Sequence, residues 1–172
     1  MSIHAEHPFE RPPAERDQVR RLRGRLPAPV TLWTAQRAGE RAGLTVSSML
    51  VADGEPGQVL ALLDPDSDLA DLLADGGPLT VSLLTWRHRL LAEQFAGQAP
   101  APGGPFVQAH WTDTAWGPVL ADAAGWVGAR LVESEPQPAG WSRLIAAVVE
   151  HVELTDEADP ALMHRRGRYH QA

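Results

Sequence analysis

The sequence predicts a mainly β (α+β) domain: a closed or partly closed β-barrel with short helices packed outside it. Three observations carry that expectation. About seven segments read as strands, by period-two alternation or as short apolar runs bounded by Gly and Pro. Helical spacing is confined to two or three short stretches between them. There is no internal repeat, and no linker long enough to separate a second domain, in a chain of 172 residues.

Taken in order, residues 1–13 are polar, carry Pro8, Pro12 and Pro13, and read as a flexible arm that only a partner subunit would hold. Residues 14–172 read as the single domain. A short helix is expected over 14–25, acidic in its first turn and basic in its last, which suits the helix dipole. Its arginines Arg20, Arg21, Arg23 and Arg25 are either a solvated helix face, the ordinary reading, or an anion-contacting surface. Residues 29–36 alternate Val30 and Leu32 with Thr31 and Thr34 around Trp33, a strand pattern. A hairpin turn is expected at 39–43 and the return strand at 44–51. A Gly-Glu-Pro-Gly turn at 54–57 leads to the continuous apolar strand 58–64. Residues 64–68 then open a helix running to about Asp75, with Asp66 and Ser67 as N-caps. Strand 79–85, helix 87–96 and a Pro/Gly/Ala loop at 97–104 follow. Residues 106–116 read as irregular. Residues 119–133 form two strands broken at Gly125, 135–140 a Pro-rich turn, and 143–154 the last strand.

Composition removes whole classes of function. A net charge of −7 and a pI near 5.4 argue against a general nucleic-acid or anionic-membrane binder. No apolar run reaches the ~18 residues of a membrane span, and the N-terminus lacks the pattern of a signal peptide. The chain contains no Cys, so thiolate nucleophiles, disulfides and cysteine metal sites are excluded, as a cytoplasmic protein allows. There is no Lys and no Asn, a bias that reads as the base composition of a high-GC bacterial genome. The missing Lys also removes Schiff-base and Walker-type phosphate chemistry. The histidines show no metal-ligand spacing apart from His4 and His7 in the arm. Neither G-x-S-x-G nor G-x-G-x-x-G occurs, so an α/β-hydrolase and a Rossmann dinucleotide site are not expected.

The stretch 43–51, G-L-T-V-S-S-M-L-V, sets hydroxyls between apolar residues. It is either a ligand-facing strand end or an ordinary half-buried β face. A flavin would suit the first reading. An isoalloxazine needs a flat apolar slot, donors along its edge and an anion site for the ribityl phosphate. Thr45 to Ser48 supply donors, and the helix start after Asp64 supplies an anion site through its free N–H groups.

The order P-V-T-L-W-T-A, G-L-T-V-S-S, a core strand ending in Asp, then L-L-A-E-Q-F-A-G (90–97) and H-R-R-G-R-Y-H (164–170), resembles the flavin reductase-like, FMN-binding split-barrel family. The resemblance covers about residues 20–170. It implies a split β-barrel with short peripheral helices, assembled as a homodimer with a flavin near the subunit interface. It places Thr45, Val46, Ser47 and Ser48 along the ring and ribityl chain. Asp64, Asp66 and Ser67 fall in the phosphate segment, and Phe95, Ala96, Gly97, Arg168 and Tyr169 at the border of the site. The implied cofactor is FMN, with FAD as the alternative, and the implied activity is hydride transfer from NAD(P)H through the flavin, often for a partner monooxygenase. No catalytic side chain and no metal are implied.

Two departures accompany it. Where the family has a serine, a basic residue and a threonine for the phosphate, this chain has Asp66, Asp68 and Leu69. Two unit charges about 5 Å apart repel by about 3 kcal/mol at an effective dielectric of about 20. Either the carboxylates point away as caps, or phosphate binds weakly, or an arginine compensates: Arg87, Arg89 or the 20–25 run. Where the family has G-D-H, this chain has Gly140-Trp141-Ser142, and Trp141 reads as a lid on the core or as a stacking platform. These departures motivate the alternative function: a non-catalytic barrel holding flavin, haem or another planar cofactor.

Overall fold

The computed structural model describes residues 13–132, 137–156 and 159–172, with side chains from residue 18 onward. In chain order the elements are α1 (Pro13–Arg25), β1 (Ala28–Pro29), β2 (Thr31–Arg37), β3 (Glu40–Val46), β4 (Leu50–Ala52), β5 (Gln58–Leu63), α2 (Asp68–Leu72) and β6 (Pro78–Leu83). A 3₁₀ turn (Trp86–His88) then runs into α3 (Arg89–Phe95), and a second 3₁₀ turn (Pro105–Gln108) precedes β7 (Trp111–Thr114) and β8 (Gly117–Leu120). The chain ends with β9 (Gly125–Leu131), β10 (Gln137–Ala139), β11 (Ser142–Leu154), β12 (Leu162–Arg165) and β13 (Arg168–Gln171).

The main sheet is antiparallel in the order β3-β2-β6-β9-β11-β5-β4, with β10 added beside β11. Its two edge strands, β3 and β4, are separated in sequence only by Ser47, Ser48 and Met49. The four steps from Val46 to Leu50 span at most about 14 Å, so the sheet must curl until its edges come close. The result is the expected mainly β half-barrel, open along one seam.

Both faces of the sheet are covered, which explains why β2 is buried along its first five residues. Alternation along β2 and its register with β3 assign the faces. Trp33, Ala35, Leu44 and Val46 point into the curl, where α2 plugs the interior with Leu69 and Leu73. Leu32 points outward beneath α3, against Leu91, Ala92, Phe95 and Leu162. The Trp33 indole is fully buried and donates to Thr31 Oγ1 at 3.0 Å, while Thr31 Oγ1 donates to the Val46 carbonyl at 2.8 Å. Thr34 and Thr80, both at 0% exposure, donate to the Pro118 carbonyl at 2.6 and 2.8 Å. β8 thus crosses the outer face and supplies the acceptor that buried hydroxyls require.

Several expectations shift. The hairpin turn is not 39–43 but the pair Ala38 and Gly39, both at positive φ (49° and 85°), between paired Arg37 and Glu40. That is the two-residue turn that matches strand twist, and it leaves Gly43 inside β3. The return strand ends at Val46; residues 50–52 pair with β5 and not with β2. The helix expected to reach Asp75 stops at Leu72. Residues 111–114 pair with β8 instead of being irregular, and 137–139 pair with β11. The last residues form a hairpin, β12–β13, docked on β1. The arm at 1–13, with His4 and His7, lies outside the described residues except Pro13, which begins α1.

Candidate functional site

The hydroxyl stretch lies at the seam of the half-barrel. Thr45 faces outward, and its Oγ1 donates to the Ala92 carbonyl at 2.7 Å, pinning α3 to β3. Gly43 lies on the same outward face and lets the Phe95 ring lie flat on β3; a Cβ there would sit 2.6 Å from Phe95 Cε1. Val46 turns inward to the core at 3% exposure. Ser48 Oγ accepts from the Leu62 N–H at 2.9 Å and donates to the Leu62 carbonyl at 3.1 Å, so a side chain continues the β4–β5 ladder across the seam. Ser47, half-buried at the bend between them, makes no side-chain hydrogen bond among the described residues. Of the three hydroxyls, two are committed to the fold and one is available.

α3 carries the residues expected at the border of the site. Phe95 packs edge-on against Phe106 and Trp111, with centroids 5.0 and 5.7 Å away. Gly97 has φ +69°, its N–H donates to the Gln94 carbonyl at 3.1 Å, and the Gln98 N–H reaches the Glu93 carbonyl at 2.8 Å. This Schellman stop is why Phe-Ala-Gly ends the helix here, with Ala96 as its C-cap. Tyr169 packs against the same outer cluster. Burial first, then the nearby Glu93 charge, raises the Tyr169 phenol above its ordinary value. Arg168 is exposed and belongs to the opposite face of the hairpin. The structure therefore gathers Thr45, Phe95, Ala96, Gly97 and Tyr169 around α3, and leaves Arg168 turned away.

A second group forms on the other side of the seam. Asp64 Oδ1 accepts the Asp66 N–H at 2.9 Å, and Ser67 Oγ donates to the Asp64 carbonyl at 2.7 Å while accepting the Ala70 N–H at 3.2 Å. Ser67 is the N-cap, as expected; α2 has only five residues. The free N–H groups expected for a phosphate are in part taken by the chain's own Asp64 and Ser67. Asp64, Asp66 and Asp68 remain exposed around the turn.

The proposed compensating arginines lie elsewhere. Arg87 pairs with Asp122 and Asp159, each at 3.5 Å. Arg89 stacks over Trp86 at 4.8 Å and donates to the Trp86 carbonyl. The 20–25 run faces the β12–β13 turn. The cation that sequence reasoning missed is Arg143. It pairs in register with Leu63, the residue before Asp64, and lines a cavity of about 380 Å³ between α2 and the start of β11, where Asp75 is the other charged lining residue. Only the β5–β11 register reveals it; no local motif marks the position. Trp141 is 61% exposed, so it is no lid on the core.

Other chemistry finds little support. Thr85 Oγ1, His88 Nδ1 (3.1 Å) and His88 Nε2 with Asp122 (3.2 Å) mimic a hydroxyl–imidazole–carboxylate relay. Thr85 is fully buried, however, and its N–H donates to the same Nδ1 at 3.0 Å, so the set caps the 3₁₀ turn. No group of metal-ligating side chains exists among the described residues. No helix among them is long and apolar enough to cross a membrane.

The curled antiparallel half-barrel with few short helices is the fold of solved flavin reductases. Residues 23–172 match the model of the flavin reductase like domain, and the chain belongs to that family. It is 32% identical over 124 residues to the FMN reductase (NADH) RutF of Ancylobacter novellus, covering 72% of this chain and 68% of that protein. It is 30% identical over 143 residues to the NADPH-flavin oxidoreductase of Streptomyces viridifaciens, covering 80% and 74%. Its fold matches BorF, the flavin reductase component of a bacterial two-component tryptophan halogenase, with a TM-score of 0.78 and 19% identity over 91% of this chain and 97% of that one.

Proposed function

We propose that this protein is an NAD(P)H-dependent flavin reductase using FMN, or FAD in its place, and that it works as a homodimer. The observation that carries the reading is the seam: Ser47 presents an uncommitted hydroxyl between the committed Thr45 and Ser48. The residues fit a flavin unequally. The bend at 47–49 suits the edge of a planar ring, whereas the Asp64–Ser67 turn, with its amides in use and its carboxylates exposed, suits a phosphate poorly. Ser47 would hold the ring edge, Thr45 and Ser48 would fix the bend through α3 and β5, and Phe95 to Gly97 would fix the α3 border. Bound flavin supplies the hydride acceptor and donor, which is why no side chain needs to act as acid or base.

The outer face beside the seam carries Leu50 and Leu62 at 66% and 41% exposure, and Leu50 pairs with Leu60 next to them. An exposed apolar sheet face of this kind would serve as an association surface. A second copy seated there would cover the seam and exclude water from the ring. Reduced flavin would then pass to an acceptor such as a partner monooxygenase, and the reductant pool places this activity in the cytoplasm.

The test is a spectrum and a melt. FMN at about 100-fold over its Kd stabilises the native state by about 2.7 kcal/mol, about 5–10 °C for a domain this size. Such a shift, a visible flavin spectrum and NAD(P)H oxidation support the full reading. A shift without turnover favours the binding-only barrel, which the acidic turn at Asp64–Asp68 recommends. No shift and no spectrum overturn both.

A further inference from the structure

The α1 C-terminus and the β12–β13 turn build a second feature on the outer side of the sheet. The Arg166 N–H donates to the Gly24 carbonyl at 2.6 Å, locking the hairpin tip onto the last turn of α1. Between them lies a cleft of about 440 Å³ lined by Arg20, Arg21, Gly24, Arg25 and Arg166. None of the lining residues is acidic, and among the described residues no carboxylate pairs with Arg20, Arg25 or Arg166. Arg23, Arg165 and Arg168 flank the cleft in sequence, so seven of the chain's fifteen basic residues fall in two short segments (20–25 and 164–170) that hold no Asp or Glu. In a chain of net charge −7 this concentration is a local positive pole. His164, two residues before Arg166, is held below its ordinary value by burial first, then by Arg23 and His170.

Arginines from two elements line one open cleft, and a set of arginines suits a phosphate monoester, which guanidinium groups grip with paired, charge-assisted hydrogen bonds. The hairpin that carries Arg166 also reaches the α3 cluster. Arg166 is three residues, about 10 Å, along the hairpin from Tyr169. Tyr169 packs in the α3 cluster, and α3 is pinned to Thr45 through Ala92. We propose that this arginine cleft binds the 2′-phosphate of NADPH, so that the protein prefers NADPH to NADH. The proposal rests on the flavin reductase reading for its physiological meaning, but its binding test does not.

Arg166 sits at φ 53° beside Gly167 at 74°, a two-residue hairpin turn in which Asn-Gly is the favoured pair. Arg166→Asn therefore deletes the charge while suiting the turn, and should melt no lower than the parent. By calorimetric titration of the full chain, adenosine bearing 2′ and 5′ phosphates should bind at least about tenfold tighter than adenosine 5′-phosphate. Arg166→Asn and the Arg20→Gln/Arg25→Gln pair should each lose about tenfold for the bisphosphate alone, the loss typical of one charged hydrogen bond. In turnover, KM for NADPH should rise by a similar factor, with kcat and the NADH parameters within about twofold. Equal binding of the two nucleotides, or an Arg166→Asn protein that keeps the difference, overturns the proposal. So does a loss confined to FMN, which would give the cleft to the flavin phosphate. Selective nucleotide binding without flavin reduction leaves the cleft standing and removes the flavin reductase reading. Flavin reduction served equally by NADH and NADPH does the reverse.

Discussion

Gly43 shows how one missing Cβ sets the site. The family-like G-L-T-V-S-S begins with a glycine where the Phe95 ring lies against the backbone, not where the chain turns. Gly43→Ala puts a methyl 2.6 Å from Phe95 Cε1 and 3.1 Å from Thr34 Cγ2. Overpacking of this kind costs about 1–3 kcal/mol, and urea unfolding should show the loss; an unchanged midpoint would mean that α3 moves freely on β3. Tyr169 offers a cleaner probe, since it is the sole tyrosine in the chain. Its raised phenol binds the proton more tightly when folded, so the stability it adds is present below pH 10.0 and is lost as pH rises through the shifted value. Phenolate absorbance should therefore titrate with a midpoint above 10.0 in the folded protein and fall back once denaturant is added. A folded midpoint at or below that value would remove Tyr169 from the cover of α3.

Elements were read from the sequence where period and punctuation agree, and missed where pairing is remote. Helix 14–25, strand 58–64, the helix at 87–96 and strand 143–154 all appear within a few residues of their expected limits. The Ala38–Gly39 turn was missed because its marker residue is absent: the chain has no Asn, and Ala38 takes the left-handed position instead. An alanine there costs about 1 kcal/mol relative to Asn or Gly. Ala38→Asn should raise stability by about that amount, or the melting temperature by about 2–4 °C; a drop would show that the turn is not held as described. Strands β7, β10 and β12 escaped because each is three or four residues long and is defined by its partner, not by its own alternation. The candidate site was legible in the same uneven way. Thr45, Ser47, Ser48 and the Phe-Ala-Gly helix stop stand out as local motifs. Arg143 and the arginine cleft depend on which distant segments the fold brings together.

On the scale of the molecule, curling the sheet brings both edges to one seam and leaves an apolar outer face beside it. The chain mass is 18.6 kDa, and light scattering should find twice that value in solution. Leu62→Arg, on the exposed face next to the Ser48 latch, should yield a folded monomer with weakened flavin binding. A monomeric parent, or a variant that stays dimeric, would place the second copy elsewhere. The charge distribution follows the same geography. Exposed carboxylates gather at the Asp64–Asp68 turn, and arginines gather at the cleft between α1 and the β12–β13 turn.

The central claim is that the seam at Ser47 receives a planar flavin. The most direct test titrates FMN into the parent and into Ser47→Trp, following flavin fluorescence, with circular dichroism and melting as controls. A bulky indole at the bend should weaken binding by more than about 2 kcal/mol, roughly thirtyfold, while the fold and melting temperature of the flavin-free protein stay as they are. A folded Ser47→Trp protein that binds FMN as tightly as the parent would contradict the account.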